Sequence, residues 1–192
     1  MNADLPRCPW CGKDPLYLDY HDTEWGRPER DDRKLFEFLI LEGAQAGLSW
    51  ISILRRREEY RRAFDGFDPE KIARYDEKAV ARLMQDTGIV RNRRKIEGAV
   101  KNARACLSLR ESGKFLSDFL WDFVDGAPLV NSWKSWEEVP ASTALSEKVS
   151  KTMKDRGFVF FGPVICYSHM QAMGMINDHL VSCFRRRECI EK

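Results

Sequence analysis

The stretch that most constrains this chain is Leu35 to Trp50, LFEFLILEGAQAGLSW, where an apolar helical face carries a carboxylate. Leu35, Phe38, Leu39 and Glu42 fall at offsets of zero, three, four and seven, the spacing that places residues on one side of a helix. Glu42 therefore points where its neighbours bury, whereas Glu37 is expected to turn outward. Gly43 is expected to stop the helix, and Ala46 and Gly47 are too small to cover what lies beneath them. A carboxylate at a gap in a core is a candidate site. The competing reading is a glutamate in a last helical turn that twists out to water, and these residues alone do not separate the two.

Helical patterning extends to both sides. Asp31 or Asp32 supplies an N-cap before Leu35, and Ser49 supplies one for a second helix that runs to about Phe64. That helix buries Trp50, Ile53, Leu54, Tyr60 and Phe64, leaving Arg55, Arg56, Arg57, Arg61 and Arg62 as a solvated face. Asp68-Pro69 and Asp76 open further helices, and Thr143 to Arg156 and Val164 to about Met175 complete the set, with Trp133 and Trp136 in a loop. No alternating run is long enough for a sheet, so the fold class is all-α. With 192 residues and 43% hydrophobic content, the chain can bury a full core as one domain or as two lobes sharing a core.

Charge and cysteine usage narrow the partners. The 32 basic residues nearly match 30 acidic ones, and a net charge of +2 gives no global attraction to a polyanion, so any nucleic-acid surface is local. No apolar run is long enough to span a bilayer and MNADLPRCPW has no secretory pattern, so a cytoplasmic location with no membrane partner is expected. Thiols stay reduced there. The six cysteines then read as metal ligands, buried small residues or free thiols.

Two local features carry chemistry. Thr87-Gly88-Ile89-Val90-Arg91 joins two helical patterns through a tight turn, and Arg91, Arg93, Arg94 and Lys95 follow it. A glycine-led turn opening into a basic helix can offer backbone N–H groups to a phosphate, although an ordinary helix pair with a solvated basic start has the same pattern. Near the other end His179 and Cys183 sit four apart, and Cys8 and His21 could complete a tetrahedral Cys₂His₂ set. Cys11 could replace His21, and spacing does not choose between the two sets. A third reading leaves the histidines in the core and the thiols free.

PLYLDYHDTEWG, LEGAQAGLSW, DTGIVRNRRKI and RGFVFFGPVICYSHMQAMGMINDHLVSC, with Cys8 ahead of them, run in order from Arg7 to Cys183. Together they resemble the DNA-3-methyladenine glycosylase I family, a branch of the helix-hairpin-helix DNA glycosylases. The resemblance implies an all-α, two-lobed fold forming one catalytic domain over residues 1–192, with the helix-hairpin-helix at about 80–106. It also implies one structural Zn²⁺ joining segments 8–21 and 179–183, and it selects Cys8, His21, His179 and Cys183 as the ligands. Cys11 becomes a surplus thiol.

The activity implied is monofunctional hydrolysis of the N-glycosidic bond of 3-methyladenine in alkylated double-stranded DNA, leaving an abasic site. Glu42, Tyr20 and Trp50 are placed in the base pocket with Trp10 and Trp25 close by, and Glu42 is the expected catalytic and selectivity residue. Aromatic faces hold a flipped base, and a negative charge favours a cationic one. Expected DNA contacts are Gly88, Ile89, Val90, Arg91, Arg93 and Lys95 in the hairpin, with Leu48 entering the space the base leaves. A monomer is expected. The rival readings are a glycosylase with another lesion preference, a zinc-stabilised DNA-binding module without catalysis, and a redox protein using Cys8 and Cys11, whose strand-helix context is missing.

Overall fold

The computed structural model describes residues 5–189. In chain order its helices are α1 (Pro15–Thr23), α2 (Asp32–Gln45), α3 (Trp50–Leu54), α4 (Arg57–Ala63), α5 (Pro69–Ile72), α6 (Glu77–Gln85), α7 (Arg93–Glu111), α8 (Leu116–Trp121), α9 (Ala144–Asp155), α10 (Pro163–Ala172) and α11 (Arg185–Glu188). Capping side chains set many of their starts. Asp14 accepts from the N–H groups of Leu16 and Tyr17, Asp31 from Lys34, Asp76 from Ala79 and Asn92 from Lys95. Asp32 works across the fold instead, accepting from Leu116 and Ser117 at the start of α8.

The helical class expected from the patterning holds, with one small addition. Two-residue strands β1 (Leu129–Val130) and β2 (Ile176–Asn177) pair in parallel, Leu129 opposite Ile176 and Val130 opposite Asn177. This pairing brings the Trp133 loop against the segment that follows α10. Among the described residues, no helix is long and apolar enough to cross a membrane.

Helix α2 is the centre of the molecule. Every residue from Leu35 to Ala44 is buried, with α3, α7, α8 and α10 packed around it. A helix enclosed on all sides has no solvated face, which corrects the expectation for Glu37. Glu37 is buried and accepts from Arg57 Nε at 2.5 Å and Arg61 at 2.9 Å, while Arg57 also donates to Glu24 at 2.7 Å. Arg57 is therefore an interior cation, and the arginine face is solvated only in part.

Two boundaries also differ from the sequence reading. Gly43 does not stop α2; it lies inside the helix, where a Cβ would stand 3.3 Å from the Cβ of Phe160. The chain turns at Gly47, whose φ of +82° suits glycine. The second helix breaks at Arg55–Arg56 into α3 and α4, and Ser49 holds the N-cap position without a side-chain capping bond.

Arg57→Met should leave Glu37 buried with only part of its compensation and lower unfolding stability by about 3–5 kcal/mol in urea titrations. Adding Glu37→Leu to that variant is expected to recover most of the loss, because two apolar side chains need no partner.

Candidate functional site: an aromatic cavity beside a Cys/His cluster

The end of α2, the middle of α1 and the start of α3 border a cavity of about 210 Å³. Tyr20, Glu42 and Trp50 line it, one from each helix, and Trp10 and Trp25 join them from the irregular N-terminal segment. All five residues singled out in the sequence thus share one space. The rings form a connected wall: Tyr20 and Trp50 lie 5.6 Å apart, Trp10 and Trp25 4.9 Å. The indole N–H groups of Trp10 and Trp50 are buried without a partner. Such donors are costly in a sealed core and useful where a ligand enters.

Five further residues line the cavity: Tyr17, Gln45, Trp136, Ser168 and Gln171. Tyr17 lies one helical turn before Tyr20, a spacing that could have revealed it. Gln171 is a polar residue within an apolar helical run, four after Tyr167. Trp136 arrives by tertiary packing, 6.3 Å from both Trp10 and Trp25, and local sequence carries no sign of it.

Glu42 is the carboxylate of the cavity. It is 4% exposed and makes no hydrogen bond or ion pair within the described residues, unlike Glu37 five residues earlier. Burial pushes its carboxyl up to about 8. Tyr20 keeps its proton for the same reason, raised first by burial and then by the nearby Glu42 charge. Tyr17 is pushed to about 12 by burial.

Behind the aromatic wall lies the ligand cluster. The ligand atoms of Cys8, His21, His179 and Cys183 all fall within 4.8 Å of one another, and all four residues are buried. Cys183 Sγ is 3.4 Å from His21 Nε2 and 3.4 Å from His179 Nδ1, and Cys8 Sγ is 3.6 Å from His179 Nδ1. Tetrahedral bonds of ordinary zinc–sulfur and zinc–nitrogen length give an S···N edge of about 3.6 Å. The cluster can therefore hold a metal ion. His179 and Cys183 achieve this in a turn rather than on a helix.

The outer ring nitrogens are also fixed: His21 Nδ1 lies 2.8 Å from Asp22, which Arg7 grips, and His179 Nε2 lies 3.1 Å from the Trp25 carbonyl. Gly26, with φ of +79°, leaves the room His179 needs, since a Cβ there would sit 2.7 Å from Nε2. Cys11 is buried beside the cluster and donates its thiol to the Cys8 carbonyl. Hydrogen bonding between the two cluster sulfurs lowers the Cys183 thiol and raises that of Cys8.

The basic turn lies beyond the C-terminal end of α2. Ile89 is buried, and Gly88 and Val90 spend their N–H groups internally, on Asp86 at 2.9 Å and the Tyr60 hydroxyl at 3.1 Å. Arg91 and Arg94 are exposed, while Arg93 pairs with Glu77. Lys95 reaches back to donate to the carbonyls of Ala44 and Ala46 at 2.8 and 2.7 Å. Its ammonium thus closes the C-terminal end of α2, next to Gln45 of the cavity wall. Leu48 stands exposed on the turn that follows.

An aromatic cavity with one unpaired carboxylate, carried on helices and flanked by a basic turn, defines a site for a planar, electron-poor ligand. Comparison with known proteins gives that site a family. Residues 10–186 match the methyladenine glycosylase family model, and the chain belongs to that family. It is 51% identical over 179 residues to DNA-3-methyladenine glycosylase 1 of Escherichia coli (strain K12), covering 93% of this chain and 96% of the relative. A DNA-3-methyladenine glycosylase of Haemophilus influenzae is 50% identical over 177 residues, covering 92% of this chain and 96% of the relative. Among solved structures, a 3-methyladenine DNA glycosylase I superposes with a TM-score of 0.92 at 52% identity, covering 93% of this chain and 98% of the other. The enzyme from Staphylococcus aureus, described for its recognition of 3-methyladenine, gives 0.91 at 37% identity, with 94% and 96% covered.

Glu42 and the cluster generate opposite stability predictions. The folded-state value of Glu42 lies above its unfolded one, so its contribution is favourable at low pH and is lost as pH rises through about 8. Glu42→Gln should therefore stabilise the fold above pH 8, by on the order of 4 kcal/mol or about 10 °C in melting temperature, and change little at pH 4. Cys183→Ala should reduce bound metal, measured by elemental analysis, from one ion per chain to almost none. The same variant should lower the melting temperature by more than about 10 °C, because binding at such sites is worth on the order of ten kcal/mol.

Proposed function

We propose that this chain is a DNA-3-methyladenine glycosylase, hydrolysing the N-glycosidic bond of 3-methyladenine in alkylated double-stranded DNA and leaving an abasic site. One observation carries the reading: a buried, unpartnered Glu42 in an aromatic cavity. Methylation at N3 gives adenine a positive charge and weakens its bond to the sugar. The lesion is therefore a good leaving group, and recognition does most of the catalytic work.

The flipped base stacks against Trp50 and Tyr20, with Trp10 and Trp25 closing the wall. Glu42 loses its proton as the cationic base enters, and its charge then favours the lesion over neutral adenine, both bound and as the bond breaks. Glu42 is accordingly the catalytic residue of this reading. The cavity lining holds no lysine for a Schiff base and no second carboxylate to activate water, which favours monofunctional hydrolysis, with solvent attacking the sugar after or during base departure.

The four-residue cluster is assigned to one structural zinc ion, which would tie the two ends of the chain together when bound. Cys8, His21, His179 and Cys183 would hold it, and Trp10 and Trp25 gain their positions from that anchor. On the DNA side, α6, the turn and α7 serve as the helix-hairpin-helix of a single catalytic domain acting as a monomer. Arg91 and Arg93 meet the phosphates, Gly88, Ile89 and Val90 shape the turn beneath them, and Leu48 enters the duplex at the vacated position. Lys95 acts indirectly, by holding the Leu48 turn against α7.

The direct test is chromatography of bases released from methylated duplex DNA by the purified protein. Release of 3-methyladenine without 7-methylguanine is expected. Its kcat/KM should rise with pH and level off above about 8, because the free enzyme must give up the Glu42 proton. Glu42→Gln should lower kcat/KM at least tenfold and flatten that profile. DNA binding without base release would leave a binding module.

A further inference from the structure

Asp178 is buried between the cavity wall and the β1–β2 pair, and four groups donate to it. Asn131 and the Trp133 indole reach Oδ1 at 2.7 Å each, while the Tyr167 hydroxyl and the Gln171 amide reach Oδ2 at 2.5 and 2.7 Å. A carboxylate in this arrangement only accepts. The NH₂ end of Gln171 is therefore committed to Asp178, and its other end, Oε1, cannot exchange places with it. Gln171 lines the cavity, and no group of the described residues donates to that Oε1.

Resting on the glycosylase reading, we propose that Gln171 is a specificity-determining residue and Asp178 its positioning residue: together they hold a fixed hydrogen-bond acceptor toward the six-position of the flipped purine. Adenine lesions carry an amino donor there, and guanine lesions carry a carbonyl oxygen. Methylation at N3 makes both cationic, so the charge of Glu42 does not tell them apart. The Gln171 acceptor attracts the amino group and repels the carbonyl oxygen, and polar groups left unpaired around a bound base are what give strong discrimination.

The lock predicts its own reversal. In Asp178→Asn the new amide has one acceptor, and the Trp133 indole, which only donates, takes it. The new NH₂ then faces Tyr167 and Gln171, both able to accept, so Gln171 turns over and presents its own NH₂ to the cavity.

The test measures 3-methyladenine and 3-methylguanine released from the same methylated duplex DNA by the full chain. Gln171→Met should lower the ratio of their kcat/KM values roughly tenfold, mainly by slowing 3-methyladenine release. Asp178→Asn should lower the ratio further and raise 3-methylguanine release above that of the unaltered protein, which a loss of stability cannot do. Quenching of the cavity tryptophans by the two free bases reads the same preference without catalysis. An unchanged ratio in Gln171→Met, or a parallel fall of both rates in Asp178→Asn with no change in free-base preference, would overturn the proposal. Absence of any base release by the unaltered protein would sink the glycosylase reading instead, and the free-base preference would still decide the role of Gln171.

Discussion

Everything in this molecule depends on the enclosure of α2. From Leu35 to Ala44 this helix has no solvent face, and each carboxylate there must be settled against other side chains or left unpaired. Glu37 is settled: two arginines from α4 grip it, and one of them also holds Glu24. Glu42 is left alone in the same helix, with its charge suppressed by burial rather than balanced. The difference between the two residues is the difference between a structural ion pair and a site. Pairing stabilises the charge permanently and makes it unavailable, whereas an unpaired carboxyl gains its charge when a cation arrives.

Trp10 and Trp25, the part of the aromatic wall outside the α-helices, take their rigidity from behind. Trp25 packs on His179 at 4.6 Å and gives that ring a backbone carbonyl, while Trp10 packs on His21 at 5.4 Å and follows Cys8 by two residues. Cluster and cavity thus share packing contacts. A change at any of the four ligands moves the faces of the cavity, and the Asp178 network supports the opposite wall through Tyr167 and Gln171.

Much of this was legible in the sequence wherever the signal was local. Caps at Asp31 and Asp76 obey side-chain chemistry that acts over three residues. The approach of Glu42, Tyr20 and Trp50 to one space, and the four-residue cluster, were legible only through the family resemblance, because spacing left rival assignments open. Glu37 and Arg57 were misread for a physical reason. Helical periodicity assigns faces on the premise that one face meets water, and α2 has none. Asp178 and Trp133 stand 45 positions apart and meet through a two-residue strand pair too short to leave an alternating pattern.

The two halves of the ligand cluster are also far apart in time. Cys8 and His179 are separated by 171 positions, so at synthesis rates of about 5–20 residues per second the first thiol waits roughly 10–30 s for its partners to be made. During that interval the N-terminal segment has its aromatics and half of the Cys/His cluster, but no closed site. The nascent chain therefore offers an open thiol pair, Cys8 and Cys11, to any oxidant or competing ion before the fold can bury it. In the finished protein both sulfurs are buried, and burial raises the Cys11 thiol to about 11. The vulnerability belongs to biogenesis, and completion of the fold ends it.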